Sequence, residues 1–185
     1  ISYVAQHQRY KDYDKLIVSS DKDFYQLVDE KTSIFRPIQK KVMTLPIIME
    51  EFKIHPNNFA LARAITGDPS DNLKGVPRVG LVTVSKKFPI LASTESIDLS
   101  KVLDECRLVD KPLQVHKNIL SHQALIESNY DIMQLYRPNM ARTNKDIVDY
   151  SINNFEFEYS RMNFTKLLFT DGLGVTNFSD LYRVC

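Results

Sequence analysis

The chain has 185 residues, of which 43% are hydrophobic and 25% are charged. This composition supports one ordinary domain or two small ones with a packed core, and it excludes an intrinsically disordered protein. The formal net charge is +1, so any affinity for nucleic acid must come from a local basic patch and not from bulk charge.

The cysteines and the hydropathy pattern indicate the compartment. Cys106 and Cys185 are far apart and form neither a disulfide framework nor a zinc pattern, which fits a reducing cytoplasm. No apolar run approaches about 18 residues and no signal peptide is evident, so we expect a cytoplasmic protein without a membrane span. The chain opens at Ile1, without methionine and inside a helical pattern, which indicates a fragment or a protein whose first half is encoded elsewhere.

The first 45 residues predict a small α/β region. Residues 1–10 have the pattern of a helix end, and the apolar run 16–18 is typical of a buried parallel strand. A short helix over residues 24–28 follows. Two β-like runs, 33–37 and 41–45, then predict a hairpin.

The remainder, residues 46–185, predicts mostly helix. Pro46 and Pro56 suit first helical turns, and Gly67 and Pro89 suit helix ends. The predicted helices span residues 47–52, 57–66, 81–88, 99–109, 113–127, 144–155, 161–169 and 178–182, with a turn at 171–174.

Two pairs of aspartates form the first candidate site. Asp21 and Asp23 follow the predicted strand 16–18, at the sheet edge where open α/β proteins bind ligands. Because residues i and i+2 of an extended segment point the same way, both carboxylates can face one site. Asp68 and Asp71 lie three apart in a turn-forming loop, and such oxygen ligands suit Mg²⁺. The alternative is that each pair forms a turn or a helix N-cap and binds no metal.

The second candidate site is a loop bracketed by glycines, residues 75–80 (GVPRVG), between two predicted helices. It is similar to a helix–hairpin–helix connection, in which glycines let the backbone approach a phosphate and the amides at a helix start point at it. Four basic residues and no acid lie in and around it: Lys74, Arg78, Lys86 and Lys87. These charges predict binding to a nucleic-acid backbone without base reading. The alternative is an ordinary helix–helix turn with a solvated basic helix.

Three motifs together resemble the 5′-nuclease, or flap endonuclease, family. Residues 19–27 (SSDKDFYQL) resemble its strand-end metal motif, residues 66–72 (TGDPSDN) its second acidic motif, and residues 75–80 its DNA-binding hairpin. Their order and separation match the family, which includes the 5′–3′ exonuclease domain of bacterial DNA polymerase I and the phage RNase H-type flap nucleases. The resemblance runs from Ile1 to about Phe88, and the helical remainder is only loosely similar.

The resemblance implies part of a PIN-like α/β nuclease core, the C-terminal part, over residues 1–45 and a mostly α-helical domain over residues 46–185. A helix–three-turn–helix element that grips duplex DNA is implied at about residues 57–88. The implied catalytic and metal-ligand positions, for two Mg²⁺ or Mn²⁺ ions, are Asp21, Asp23, Asp68 and Asp71. The implied DNA-binding positions are Lys74, Gly75, Val76, Arg78, Val79, Gly80, Lys86 and Lys87, and the carbonyls of Val76 and Val79 are candidate ligands of K⁺.

The family's first-strand aspartate, its acidic helix cluster and its helical arch all precede the point that matches Ile1. We therefore expect a two-metal 5′–3′ exonuclease or flap endonuclease of which this chain carries about half of the metal ligands. The metal would generate the nucleophile, because the four histidines are scattered and expected at the surface. The expected substrates are 5′ flaps, branched or nicked duplexes and RNA–DNA primers.

The resemblance also suggests a monomer that works with a replication clamp or a single-strand DNA-binding protein. Two other hypotheses stay open. One is a non-catalytic module that binds branched or duplex DNA, and the other is a structural or interaction domain in which the motifs are remnants. If the first half is absent, we expect the strand at 16–18 to have an exposed edge.

Overall fold

The computed structural model describes residues 1–137, 139–156 and 160–172. The chain separates into two compact units, Ile1–Met140 and Ala141–Cys185. The first unit has a small sheet near its start followed by helices, and the described part of the second unit is helical. The predicted division at residues 45 and 46 stays a prediction. No helix in the described ranges is long and apolar enough to cross a membrane.

A three-stranded sheet lies near the start of the first unit. Its strands are β1 (Lys15–Val18), β2 (Thr32–Arg36) and β3 (Lys41–Met43), in the order β1-β2-β3. β1 pairs with β2 in parallel, with Ile17 opposite Ile34, and β2 pairs with β3 in an antiparallel hairpin. The structure confirms the predicted parallel strand and the predicted hairpin.

The prediction that β1 is buried is wrong for one of its two faces. Ile17 is 8% exposed and belongs to the core, whereas Leu16 and Val18 are 57% and 63% exposed. Successive side chains of a strand point to opposite faces, and the described residues cover only the Ile17 face. The second edge of β1 also has no strand partner among the described residues, as expected.

Helices account for most of the remaining described residues. In chain order they are α1 (Ser2–Ala5), α2 (Leu45–Phe52), α3 (Pro56–Thr66), α4 (Leu81–Lys87), α5 (Leu99–Leu108), α6 (Gln114–Ser121), α7 (Gln123–Met133), α8 (Arg142–Asn153) and α9 (Arg161–Thr170). Short 3₁₀ segments span Gln8–Tyr10, Lys22–Leu27, Pro69–Asp71 and Pro89–Ala92. Most predicted helices are confirmed with small shifts at their ends. The predicted helix 178–182 and the turn residues 173 and 174 lie outside the described residues.

Two of the predicted helices are interrupted. The helix predicted over residues 1–10 breaks at His7, whose backbone is extended and whose Nδ1 accepts the Arg9 amide at 3.1 Å. The helix predicted over residues 113–127 is two helices, α6 and α7, which meet at His122. The Nδ1 atom of His122 lies 2.7 Å from the carbonyl oxygen of Asn118, so the side chain competes for a helical acceptor.

The α3 helix forms the centre of the first unit. It packs against α7, α4 and the 3₁₀ segment Lys22–Leu27, and nearly all of its residues are buried. Tyr25, Phe52 and Phe59 form an aromatic cluster with ring centroids 5.3–5.6 Å apart. Because α3 packs against the segment after β1 and leads directly into Gly67, it fixes the separation of the two acidic motifs.

Candidate metal centre

Three of the four predicted aspartates come together in space. Asp23, Asp68 and Asp71 each place one carboxylate oxygen within 4.8 Å of the others, and we call these residues the carboxylate cluster. Asp23 lies in the 3₁₀ segment after β1, and Asp68 and Asp71 lie in the loop after α3. Asp68 is buried, Asp23 is partly buried and Asp71 is exposed. The cluster therefore opens to solvent at Asp71.

Asp21 lies beside the carboxylate cluster but is not part of it. Its side chain accepts the Asp23 amide at 2.8 Å and caps the 3₁₀ segment, so it has the turn role that the sequence left open. The side chain is exposed and lines the same cavity of about 270 Å³ as Asp23 and Asp71. Asp21 and Asp23 thus face one cavity, as predicted, but residues 22–27 form a 3₁₀ helix and not the extended segment from which the sequence predicted this.

A small two-stranded ribbon holds the Asp68 side of the cluster. β4 (Gly67–Asp68) and β5 (Leu73–Lys74) pair in antiparallel, and a 3₁₀ turn joins them. Asp68 caps this turn, since its Oδ1 accepts the Ser70 amide at 2.9 Å and the Ser70 hydroxyl at 2.5 Å. The ribbon thus fixes Asp68 and brings Asp71 to the same face of the site.

Two glycines allow the ribbon to close. Gly67 has a φ of +70°, and a Cβ there would lie 2.3 Å from the Gly75 amide nitrogen. A Cβ on Gly75 would lie 2.0 Å from the carbonyl oxygen of Thr66. Gly80 differs, because nothing lies within 4 Å of a Cβ built on it. Packing therefore requires a glycine at position 75. Of Gly75 and Gly80, only Gly80 leaves the open space that a phosphate needs.

A buried arginine that the sequence patterns did not reveal links the carboxylates. Arg63 Nε donates to Asp23 Oδ1 at 2.9 Å, and its Nη2 donates to Asp68 Oδ2. Its Nη1 donates to the Gly67 carbonyl at 3.4 Å. Arg63 is 9% exposed and lies among apolar residues of α3. One feature of the sequence could have indicated this role. Arg63 is a charged residue in a helix otherwise suited to burial, five residues before Asp68. Buried arginines are almost always paired.

The pKa values of Asp23 and Asp68, the two less exposed carboxylates of the cluster, are shifted in opposite directions. Burial raises the pKa of Asp23, and the hydrogen bond and charge of Arg63 offset this only in part. Burial also acts to raise the pKa of Asp68. The hydrogen bonds from the Ser70 hydroxyl and amide, together with Arg63, outweigh burial and hold the pKa of Asp68 below its ordinary value. The negative charge at Asp23 is therefore the less well compensated of the two.

Two buried amides tie the site to α7: Asn129, which lies outside the predicted motifs, and Gln26, which lies within the motif at residues 19–27. Asn129 of α7 donates to a carbonyl of α3 at 3.0 Å and to the Lys74 carbonyl at 2.8 Å. Gln26 donates to the Asp23 carbonyl at 2.8 Å and to the last residue of α7 at 3.0 Å. One helix thus holds both acidic segments. The sequence does not reveal these links to α7, because they join residues that lie far apart along the chain.

The glycine loop, residues 75–80, folds over two buried valines. Val76 and Val79 are 3% and 5% exposed, and the Val79 amide donates to the Val76 carbonyl at 3.2 Å. Asn118 of α6 donates to the Pro77 carbonyl at 3.0 Å. Arg78 has a φ of +64° and an exposed side chain. The valines therefore anchor the loop, and Arg78 lies on its outer surface.

The predicted lysines lie on both sides of this loop along the chain. Lys74 precedes it, and Lys86 and Lys87 lie in the last turn of α4, which begins directly after Gly80. All three lysines are exposed. The structure thus places these charges at the surface and leaves them available for contact with a polyanion.

The expectation that the histidines are surface residues is wrong for two of the four. His55 and His116 are 8% and 6% exposed. His55 Nδ1 accepts the Asn57 amide at 3.2 Å and caps α3, and burial lowers the pKa of His55. His116 Nδ1 accepts the Leu113 amide at 3.2 Å. Both residues serve as structural caps.

Comparison with known proteins finds relatives among enzymes that process DNA. No family model matches the chain. DNA polymerase I of Thermus aquaticus is 30% identical over 135 residues, which is 73% of this chain and 15% of that protein. The 5′-3′ exonuclease of Buchnera aphidicola subsp. Acyrthosiphon pisum is 43% identical over 68 residues, which is 37% of this chain and 24% of that protein.

Solved structures share the fold. The T5 D15 flap endonuclease, in a complex with DNA and metal ions, aligns with a TM-score of 0.56 and 21% identity over 67% of this chain and 44% of that chain. T5 5′-exonuclease with bound zinc gives a TM-score of 0.55 at 22% identity. These alignments confirm the predicted fold class, a partial α/β nuclease core followed by a mostly helical region.

The fold and the sequence matches relate the chain to part of the 5′-nucleases. The chain is homologous to the 5′-3′ exonucleases and to part of DNA polymerase I, which confirms the predicted resemblance. It spans less than half of the length of each of these relatives.

Proposed function

We propose that the chain contributes to a metal-dependent 5′-3′ exonuclease or flap endonuclease that hydrolyses phosphodiester bonds at 5′ ends of DNA or of RNA primers. The carboxylate cluster carries the proposal, because it unites two motifs that are distant in sequence. Homologues named 5′-3′ exonuclease and a structural neighbour solved with DNA and metal ions support the same activity. A replication clamp or a single-strand DNA-binding protein remains the proposed protein partner.

The donor chemistry of the cluster fits hard divalent ions such as Mg²⁺ or Mn²⁺. All three residues offer carboxylate oxygens, and Asp71 is exposed to incoming solvent and ions. Asp21 lies on the rim of the same cavity, where it would hold a second ion or the water molecules around it. When bound, two such ions would activate a water molecule and stabilise the leaving oxygen.

The chain's own residues orient this site. Asp68 is held by Ser70 and Arg63, so it presents a fixed carboxylate at the base of the cluster. Asp23 is held by Arg63 through Oδ1, which leaves Oδ2 as the oxygen for a ligand. Asp71 supplies the exposed side of the cluster.

The glycine loop and its flanks form the proposed DNA-binding surface. Exposed Lys74, Arg78, Lys86 and Lys87 would contact phosphates, and Gly80 leaves room for a close backbone approach. Such contacts fix register on a duplex without reading bases. The carbonyls of Val76 and Val79 remain the proposed ligands of K⁺, and Gly75 supports the loop by packing.

We also propose that these residues supply only part of the catalytic centre. The chain spans 44% of the T5 flap endonuclease. An apolar cavity of about 480 Å³ lies on the exposed side of β1 and is lined by Ile1, Val4, Ala5, Tyr10, Leu16 and Val18 among others. Open strand edges and apolar faces are ordinarily covered in folded proteins. A parallel strand added at the open edge of β1 would end near Asp21, beside the carboxylate cluster, where it would supply further ligands.

The proposed activity is tested with the longest open reading frame that contains this chain. A 5′-flap duplex labelled at the flap would be incubated with Mn²⁺ or with EDTA. We expect cleavage with Mn²⁺, no cleavage with EDTA, and loss of cleavage in Asp71→Asn. Cleavage that persists in EDTA would contradict the proposal.

A non-catalytic DNA-binding module is the second candidate. The observation that favours it is Arg63, which already compensates Asp23 and Asp68 and lets the cluster fold without a metal. This candidate predicts a gel shift with the flap duplex but no cleavage by the complete reading frame. The same assay therefore separates the two candidates.

A further inference from the structure

Arg63 occupies the space between the two less exposed carboxylates of the cluster. The side chains of Arg63 and Asp23 are 11% and 15% exposed, and that of Asp68 is 11% exposed. Three guanidinium nitrogens donate hydrogen bonds, to Asp23, to Asp68 and to the Gly67 carbonyl. An arginine with this many partners is held in one orientation and does not lose its proton.

At Asp68, the oxygen that Arg63 holds is one that a divalent ion would take. Asp68 has both oxygens engaged, Oδ1 by Ser70 and Oδ2 by Arg63. Mg²⁺ approaches its oxygen ligands to about 2.0–2.1 Å, which leaves no room for an N–H donor on the same side of the oxygen. An ion that approaches Asp68 Oδ2 or Asp23 Oδ1 from the side of the guanidinium must therefore displace the guanidinium from that atom.

The positive charge of Arg63 also opposes the binding of a divalent ion. The Arg63 guanidinium and a divalent ion are both cations, and their repulsion is strong in a site that is largely removed from water. Asp71 lies outside the two ion pairs of Arg63 and can contact an ion without breaking either of them. An approaching ion would therefore reach Asp71 first and compete with Arg63 afterwards.

We propose that Arg63 is an internal counter-ion that positions Asp23 and Asp68 in the absence of metal and competes with divalent ions for their oxygens. The inference rests on the proposed metal-dependent function. Arg63 is a positioning residue in this account. Its effect is to keep the cluster folded without metal and to weaken the affinity for the ion.

The first test is calorimetric titration of the 185-residue chain with Mn²⁺. We expect Arg63→Gln, which removes the charge, to bind Mn²⁺ about tenfold more tightly than the wild type. Arg63→Lys keeps the charge and should stay close to the wild type. Arg107→Gln is the matched control, because Arg107 pairs with Asp104 on an exposed helix surface. Equal or weaker binding by Arg63→Gln would overturn the competition.

The second test uses the wild type, so it does not depend on whether a variant without Arg63 folds. In the ¹⁵N-labelled wild type, the Nε–H signal of Arg63 would be followed during titration with Mg²⁺. We expect this signal to move and to exchange faster with solvent as the amides of Asp23 and Asp68 shift. An unchanged Arg63 signal while those amides shift would overturn the competition but leave the metal site intact. No shift at any residue of the cluster would contradict both.

Discussion

The backbone of Gly67 lies so close to that of Gly75 that neither residue can carry a side chain. A Cβ on Gly75 would meet the Thr66 carbonyl oxygen at 2.0 Å, and the obstacle is backbone and not a flexible side chain. We expect Gly75→Ala to lower the free energy of unfolding by about 2–4 kcal/mol. The measurement is urea unfolding followed by circular dichroism.

Gly80→Ala is the matched control in the same loop. Its φ is −105°, and nothing lies within 4 Å of the added Cβ, so we expect a change within about 0.5 kcal/mol. If the two variants are equally stable, the close approach of Gly67 and Gly75 is not a feature of the folded protein.

Substitution of Asp68 should destabilise the folded protein and substitution of Asp71 should not, whereas either substitution should abolish cleavage. Asp68→Asn leaves Arg63 without one of its buried charged partners, and we expect a loss of about 1–3 kcal/mol in the free energy of unfolding. Asp71 is exposed, so Asp71→Asn should change stability by less than about 0.5 kcal/mol. Both variants of the complete reading frame should lose metal-dependent cleavage and keep binding to the flap duplex.

The control for these variants is Asp110→Asn, which changes an exposed carboxylate outside the cluster. Stability would be measured by thermal unfolding without metal, and binding by gel shift. Wild-type turnover in Asp71→Asn would refute its assignment as a metal ligand. An Asp68→Asn protein as stable as Asp71→Asn would refute the structural role of the pair with Arg63.

Asn129 should be essential for stability although it lies far from the predicted motifs. Its side chain is 3% exposed and donates to two carbonyls, one in α3 and one at Lys74. Asn129→Leu removes both bonds, of which the one to α3 is buried and the one to Lys74 is partly buried, so we expect a loss of about 2–4 kcal/mol in urea unfolding. Asn118→Leu, which removes an exposed bond to Pro77, should cost less than about 1 kcal/mol. Equal losses in the two variants would contradict this account.

Cys106 should be nearly inert towards thiol reagents in the folded chain. Burial, and to a smaller extent the charge of the neighbouring Glu105, raise the pKa of the Cys106 thiol to about 11. The thiolate is the reactive form, so at pH 8 only about one molecule in a thousand is reactive. In a Cys185→Ser background, the reaction with DTNB should be slow in buffer and fast in urea. Equally fast reactions under both conditions would place Cys106 at the surface.

Lys86 and Lys87 should contribute to DNA affinity mainly through phosphate contacts. We expect the double variant Lys86→Gln with Lys87→Gln to bind the flap duplex more weakly and to reduce the slope of log affinity against log salt by about 1.8. Lys40→Gln with Lys111→Gln is the control, since both residues are exposed and lie outside the loop and its flanks. Salt-independent binding, or equal effects of the two pairs, would argue against this surface.

Local signals in the sequence were enough to predict much of the fold. Pro46 and Pro56 lie in the first turns of α2 and α3, and Gly67 caps α3 with a positive φ. These residues act through their own backbone preferences, which do not depend on distant partners. The order of the three motifs likewise predicted the family.

The features that were missed depend on contacts across the chain. Arg63 and Asn129 form their bonds with residues that α3 and α7 bring near, and no periodicity marks them. Asp21 was assigned to the site on the assumption of an extended segment, but its capping bond turns the chain into a 3₁₀ helix. The exposed face of β1 was predicted as buried because an apolar run does not show which of its faces are covered.

We propose above that the carboxylate cluster binds a divalent ion. The most direct test is an anomalous difference map from a crystal of this chain soaked in Mn²⁺. We expect a peak contacted by Asp71 and Asp23, with Asp68 adjoining and the Arg63 guanidinium withdrawn from at least one carboxylate. A map without a peak at the cluster, with Arg63 still bridging Asp23 and Asp68, would contradict it.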